Sequence, residues 1–313
     1  MIALSVCICT FRRANRLDRL LRALATQLGE DREILVVNDG SHDEAYEKVA
    51  ERHANHIRYL SLEKNVGIAQ ARNVAARAAT GEFIVYIDDD CEPPAWWLDW
   101  LQARLDAHPE LDVVAGPTLA LPPESGETFA SRFQAHFGFL PQIYGSGGNM
   151  IFPAANLCIR ATLLSDIGMF GFTGPFFGAG EDTELAVRAQ LAGARMLADE
   201  TWHVRHDTGE PVLSLAKRYY RYGYSNGAIT ALATSPESHA MIYRMRYSRL
   251  HEQLRHFITR TWTQSATFPG SATTRMVAFL AALTVHMAYQ VGCIRGKNRM
   301  HARNRHPTEI QAQ

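Results

Sequence analysis

The chain has 313 residues, 47% hydrophobic and 20% charged, enough for one core domain with an appendage, or for two domains. Its 32 basic residues balance 32 acidic ones, so no global electrostatic attraction to nucleic acid exists. The five cysteines are odd in number and lack a CxxC spacing, which argues against a zinc site or disulfide framework and for a reducing cytoplasm.

The N-terminal "MIALSVCICTF" has no basic region and too short an apolar run for a signal peptide, and is expected as a buried strand ending at Thr10. Leu17, Leu20, Leu21, Leu24 and Leu28 follow at helical spacing. "EILVVNDGS" is a second strand closed by the turn residues Asn38, Asp39 and Gly40. "IRYLSL" is a third strand, and the Ala-rich "VGIAQARNVAARAATG" is a helix expected to stop at Gly81. "EFIVYI" is a fourth strand, "PPAWWLDWLQARLDAHP" a helix begun by prolines, and "DVVAG" a fifth strand. Strands alternating with helices at these intervals predict an α/β fold with a mostly parallel central sheet and helices on both faces.

After Pro122 the alternation breaks. Residues 122–152 are rich in Gly, Pro and aromatics and read as an acceptor-side loop or a short antiparallel excursion. "PAANLCIRATLLSDIG" returns to order, "GAGEDTELAVRAQLAG" reads as loop then helix, and "ARMLADETWHVRH" as a strand running into a loop. From about Ser214 the pattern is helical.

In parallel sheets ligands bind beyond the carboxyl ends of the strands. Thr10, Asp39 and the triplet Asp88, Asp89 and Asp90 stand at three such ends. Acids commonly close strands, but here the preceding strand is apolar throughout, which places the triplet at a rigid edge. Hard divalent cations take carboxylate oxygens and bridge to phosphates. On an extended backbone Asp88 and Asp90 would face one side, one for a metal and one for a sugar hydroxyl, with Asp89 pointing away in a structural part. A second pair, Glu181 and Asp182, follows "FFGAG" and opens a helix. Acids there offset the helix dipole, or a flexible Gly-rich loop delivers a general base. His203 and His206 in "TWHVRH" are either surface residues or a third ligand for a metal such as Mn²⁺. Lys64, Asn65, Gly67, Arg72 and Asn73 lie between a strand and a helix, where Gly67 permits close backbone approach and a helix N-terminus favours phosphate.

"SVCICTFRR", "EILVVNDGS", "NVGIAQARN", "YIDDDCEP" and "GEDTELAVR", in this order and spacing, resemble the inverting family-two glycosyltransferases of the A-type fold across residues 3–225. The resemblance implies a nucleotide-sugar donor (UDP-sugar by frequency), a divalent metal (Mn²⁺ or Mg²⁺) and single displacement onto an acceptor hydroxyl. The acceptor would be a saccharide, glycolipid or other hydroxyl, within cell-envelope polysaccharide or glycoconjugate synthesis. By position, Thr10, Arg12 and Asp39 are similar to residues that hold the base, and Arg72 to one near the donor. Asp88 matches the ribose side of the Asp-x-Asp motif and Asp90 its metal ligand, with Asp88 and Asp89 also assigned to the donor. Asp182 is similar to the catalytic base with Glu181 beside it. His203 is similar to a late metal ligand, with His206 as fallback. No nucleic-acid partner is implied. A nucleotide-sugar-binding protein of the same fold without turnover is the competing class. A nucleotidyltransferase ranks last because "CTFRRANR" lacks a Gly-rich phosphate loop.

The expected division is a catalytic domain over 1–225, in a nucleotide-binding half (1–120) and an acceptor-binding half (121–225), then a helical extension over 226–313. The basic, aromatic "SLAKRYYRYGYSNGAI" precedes it, similar to segments that face acceptor or membrane in the resembling family. "MVAFLAALTVHMAYQVGCI" (276–294) is followed by Arg295, Lys297, Arg299, Arg303 and Arg305. Three readings stand for it: a helix packed on the catalytic domain, a helix in peripheral contact with the cytoplasmic membrane face through 276–305, or a span.

Overall fold

The computed structural model describes residues 3–122, 126–143, 150–171, 179–232 and 250–305, with side chains described through 229 and from 258 to 299 in the C-terminal part. In chain order the elements are β1 (Leu4–Thr10), α1 (Ala14–Ala25), β2 (Arg32–Asn38), α2 (Glu44–Arg52), β3 (Arg58–Ser61), α3 (Ile68–Ala78), β4 (Phe83–Ile87), β5 (Cys91–Glu92), α4 (Trp97–Ala107), β6 (Val113–Ala115) and β7 (Thr118–Leu121). There follow α5 (Phe129–Phe137), β8 (Asn156–Arg160), α6 (Ala161–Asp166), α7 (Glu181–Leu191), β9 (Met196–Ala198), β10 (Val204–Asp207), α8 (Val212–Leu232), α9 (Leu250–Ala266) and α10 (Ala272–Arg305). Two compact units result. The first is Met1–Leu121, Leu140–Thr173 and Glu181–Asp207; the second is Pro122–Phe139, Gly174–Gly180 and Thr208–Gln313.

In the first unit a seven-stranded sheet runs β3-β2-β1-β4-β8-β6-β9. β1 pairs in parallel with both β2 and β4, and only β8 runs antiparallel to its neighbours β4 and β6. Because β1 sits between β2 and β4, the strand order reverses there, which opens a crevice at the carboxyl ends of β1 and β4. The central strands are largely apolar because both faces are covered. Val6, Ile8, Ile34, Val36 and Val85 pack under Leu17, Leu20, Leu21 and Leu24 of α1 and Trp97, Leu98 and Leu101 of α4. Alternate residues Cys7, Leu35, Val37, Ile84 and Tyr86 face Ala71 and Ala75 of α3 and Leu185 and Ala186 of α7. Truncating one such leucine to alanine costs roughly 2–5 kcal/mol. All five cysteines are buried.

The turn after β2 is shaped by Gly40. Its φ of 76° lies in the left-handed region, and a Cβ there would stand 2.3 Å from the Lys64 carbonyl carbon. Asp43 caps α2 by accepting the Ala45 N–H at 2.9 Å.

Several local expectations are corrected. α3 ends at Ala78 with Ala79 as its cap, so Gly81 does not stop it. Gly81 instead lies against β1, where a Cβ would come within 2.7 Å of the Ser5 nitrogen. The segment expected as loop or antiparallel excursion contains α5, begun by a reciprocal capping pair of Thr128 and Ser131. The stretch "VRH", expected as loop, is part of β10, which pairs with β5 and β7 in a separate three-stranded sheet.

In the second unit α8 and α10 run in the same direction at very close range. A Cβ on Gly223 would stand 2.0 Å from the Tyr289 carbonyl oxygen, and one on Gly227 2.1 Å from that of Cys293. Reciprocally, Gly292 and Gly296 meet the Tyr220 and Tyr224 carbonyls at 2.2 and 1.9 Å. α8 crosses residue 225, so the expected boundary between catalytic domain and extension falls inside one helix.

Candidate functional site

Three strand ends converge at the crevice. Thr10, the last residue of β1, donates its hydroxyl to Asp89 Oδ2 at 2.7 Å and lies 2.9 Å from the Tyr46 hydroxyl. Beyond it Arg12 adopts a left-handed φ of 56°, with its N–H donating to Ser41 Oγ and its exposed guanidinium stacked on Phe11 at 4.9 Å. Asp39, after β2, is buried and accepts the N–H groups of Val66 and Gly67 at 2.7 and 3.0 Å. Asn65 donates its side-chain amide to the Asp39 carbonyl. Asp39, Asn65 and Gly67 therefore brace one another, and Gly67 begins α3 as its N-cap.

The aspartate triplet does not stay extended. The Cys91 N–H donates to the Asp88 carbonyl at 3.0 Å, closing a turn, so Asp88 and Asp90 take different partners. Asp88 accepts from Arg72 at 2.9 Å. Asp89 is buried against Thr10 and Arg13. Asp90 is buried and accepts from Arg13 at 2.8 Å and Arg16 at 3.2 Å, with His206 Nε2 at 3.3 Å.

The two histidines separate. His206, on β10, is buried, and its ligand nitrogen clusters with Asp90 and Cys91 such that all three donor atoms lie within 4.8 Å. His203 instead sits 2.9 Å from the Thr201 carbonyl through Nδ1 and meets the Trp96 ring edge-on at 5.5 Å. The structure brings the fallback histidine, and not the first choice, to the aspartates. An aspartate carboxylate with an imidazole nitrogen is a donor set that a divalent metal can take. The neighbouring Cys91 thiol is pushed well up by burial, against which metal coordination as thiolate would have to work.

Glu181 and Asp182 are the first two residues of α7. The Gly-rich loop expected to deliver them falls mostly on 172–178, outside the described residues. The buried Arg72 guanidinium holds Glu181 at 2.5 Å through one nitrogen and Asp88 at 2.9 Å through another. Burial alone would lower the Arg72 pKa, but these two carboxylates outweigh it and raise it. Half-buried Asp182 accepts the Thr183 N–H at 2.7 Å and the Ala154 N–H at 3.4 Å. Low-polarity surroundings and the Glu181 charge push its carboxyl up to about 6, against the pull of Arg72.

Sequence reading missed Arg13, Arg16 and Arg19. Arg13 bridges Asp89 and Asp90, Arg16 bridges Asp90 and Asp207, and Arg19 reaches Asp207 at 2.5 Å. Their spacing of three, directly after the strand ending at Thr10, was the available signal: one helix face of positive charge aimed at a strand-end acid cluster.

This geometry, a largely parallel sheet with a strand-order switch and acids at the strand ends beside a helix-borne carboxylate, defines the A-type glycosyltransferase fold. Over nearly the full chain the structure resembles the mannosyltransferase PcManGT from Pyrobaculum calidifontis solved with GDP-Man and Mn²⁺, with a TM-score of 0.58, 18% identity, and 98% and 88% of the two chains covered. It also resembles S. aureus TarS 1-349, with a TM-score of 0.55, 17% identity, and 97% and 92% covered. Residues 5–168, just over half of the chain, match the profile of glycosyl transferase family 2, and the chain belongs to that family. A cholesterol galactosyltransferase of Borreliella burgdorferi is 33% identical over 105 residues, 33% of this chain and 29% of its own length. A pre-mycofactocin glycosyltransferase of Mycobacterium tuberculosis is 30% identical over 213 residues, 66% of this chain and 43% of its own. The chain thus spans less than half the length of these two relatives.

Proposed function

We propose that the protein is a metal-dependent glycosyltransferase that moves a sugar from a nucleotide-sugar, a UDP-sugar in first place, to an acceptor hydroxyl with inversion. The observation that carries this is the double hold of Arg72 on Asp88 and Glu181, which gathers the strand-end acids and the start of α7 into one cluster. Support for the donor class comes from solved relatives of the same fold: TarS is described in complex with UDP-GlcNAc, and PcManGT with GDP-Man and Mn²⁺.

Asp90 and His206, with Asp88 alongside, are the residues that would hold Mn²⁺ or Mg²⁺. A divalent cation bound there supplies charge stabilisation for the departing diphosphate. Thr10, Arg12, Asp39, Asn65 and Gly67 shape the donor side, with the exposed Arg12 guanidinium available to the base or ribose. Asp89 fixes this wall through Thr10 and Arg13. Asp182 takes the proton of the acceptor hydroxyl as it attacks. Its raised pKa makes it a better proton acceptor than an ordinary aspartate while leaving it ionised at neutral pH. Arg72, paired with Glu181, offsets part of the negative charge that Glu181 sets beside Asp182. Direct displacement needs a single base and no protein nucleophile, and Asp182 is the carboxylate proposed for it.

The relatives' names give a sterol in one case and pre-mycofactocin in another, so the acceptor is proposed only as a class: saccharide, glycolipid or other hydroxyl. Thermal-shift and calorimetric screening of UDP-, GDP- and dTDP-sugars with and without Mn²⁺ tests the proposal. Stabilisation by one nucleotide-sugar, increased by Mn²⁺, is expected; no response to any of them would overturn it. Binding without sugar transfer or donor hydrolysis would favour the non-catalytic binding protein instead.

A further inference from the structure

We propose that the outward face of α10, together with the exposed edge of α9, docks on an anionic lipid bilayer, with α10 lying in the plane of the interface. Independent of the proposed chemistry, the inference rests on three observations within the second unit.

First, α10 is apolar on two opposite sides for two different reasons. Its inner side is committed to α8, since Gly292 and Gly296 allow backbone contact with Tyr220 and Tyr224. Its outer side carries Met276, Leu280, Met287, Val291 and Ile294, at intervals of four, seven, four and three residues, which is one stripe of an α-helix. With Val277 these side chains are 40–53% exposed. Among the described residues, packing against α8 leaves this stripe exposed. Trp262 of α9, 54% exposed, sits with its ring 5.2 Å from Phe279 of α10, and Ile258 adds to the same element. An amphipathic aromatic at the edge of an apolar stripe is the usual anchor at a membrane interface.

Second, the charge matches one occupant. α10 contains no acidic residue, and apart from Arg275 near its start its arginines and lysine gather at one end as Arg295, Lys297, Arg299, Arg303 and Arg305. Arg295, Lys297 and Arg299 are exposed. A second copy laid on this face in parallel would bring those ends together and repel, whereas anionic headgroups would neutralise them.

Third, the neighbouring helix excludes a span. α8 runs alongside α10 and carries Lys217, Arg218 and Arg221, with Lys217 and Arg221 exposed. Taking α10 across a bilayer would draw these cations into hydrocarbon, at a large cost. Lying on the surface needs no such transfer.

The test is co-sedimentation of the full chain with vesicles of phosphatidylcholine alone and of phosphatidylcholine with 30 mol% phosphatidylglycerol. Binding at least about tenfold tighter to the anionic vesicles, falling with salt, is expected. The Leu280→Glu/Met287→Glu double variant should lose this binding at an unchanged melting temperature. Arg295→Gln/Lys297→Gln/Arg299→Gln should lose the preference for anionic lipid while keeping the weak apolar component. Absence of vesicle binding, or equal binding by the double variant, would overturn the proposal. So would resistance of the membrane-bound chain to carbonate extraction, which marks a span. A concentration-dependent dimer abolished by the double variant would assign the face to self-association instead.

Discussion

Arg72 and Glu181 form a buried ion pair at 2.5 Å that joins α3 to the residue immediately before Asp182. Their side chains are 6% and 7% exposed, so neither charge can fall back on water. Arg72 also holds Asp88, and the guanidinium fork is what allows one side chain to serve both acids. Arg72→Met should therefore leave two carboxylates without their cation and destabilise the fold by roughly 3–5 kcal/mol. Arg72→Lys, with a point charge in place of the fork, should recover only part of this. Urea unfolding of the three proteins checks the order; a methionine variant as stable as the parent would remove Arg72 as the link between the clusters.

Asp182→Asn preserves shape and removes the proposed base. Transfer should fall by about 10²–10⁴-fold while binding of donor with Mn²⁺ stays within about twofold. In the parent, the form that would act as base is the ionised one, and the Asp182 pKa is raised to about 6. Activity should thus be at its plateau above pH 7 and fall tenfold per unit below about 6, which an initial-rate profile measures. A profile flat down to pH 5 would point to a base of ordinary acidity elsewhere.

The separation of the two histidines gives a direct comparison. His206→Ala and Asp90→Ala should each weaken Mn²⁺-dependent nucleotide binding by 10-fold or more, on the order of one lost ligand, while His203→Ala should leave it unchanged. Arg13 and Arg16 hold positive charge against Asp90 at 2.8 and 3.2 Å. Arg16→Gln should therefore tighten Mn²⁺ binding in the absence of nucleotide, since a cation competing for the same carboxylate has gone. Isothermal titration with Mn²⁺ alone separates these outcomes. Loss of metal binding in His203→Ala and not in His206→Ala would reverse the choice.

Much of the fold over residues 1–120 was legible because its physics is local. Strands buried on both faces must be continuous apolar runs, and those runs end where the chain meets the crevice, so Thr10, Asp39 and Asp88 could be placed on one edge. The misplacements have equally specific causes. The triplet was read on an extended backbone, but the Cys91 N–H folds back to Asp88, a turn that side-chain identity does not signal. β10 is only four residues, "VRHD", with three polar side chains in a row, so the strand that carries His206 to Asp90 looks like loop. Arg13, Arg16 and Arg19 look like any solvated helix face, and only the fold shows that Asp90 and Asp207 lie opposite them. α5 hides in a Gly- and aromatic-rich segment whose capping pair, Thr128 and Ser131, lacks the acidic partner usual in such boxes.

Glu33 provides a test of stability away from the site. At the edge of β2 its carboxylate accepts from Ser5 Oγ at 2.6 Å, from the Thr80 N–H and hydroxyl at 2.6 and 2.7 Å, and from Arg58 at 2.7 Å. Partial burial would raise the carboxyl, but these donors outweigh it and hold it down to about 2. Because the folded pKa lies below the unfolded one, the ionised carboxylate adds stability that is fully present above about pH 4.5 and is lost as the pH falls toward 2. Glu33→Gln keeps the size and loses the charge, so it should cost about 1–2 kcal/mol at pH 7 through weakened hydrogen bonds. That difference should shrink toward zero at pH 2, where the parent carboxyl is itself becoming protonated. Paired denaturant titrations of parent and variant at pH 7, 4 and 2.5 measure it. A gap that stays constant across the range would show that Glu33 acts through its shape alone, and that Ser5, Thr80 and Arg58 are held in place by the sheet without its charge.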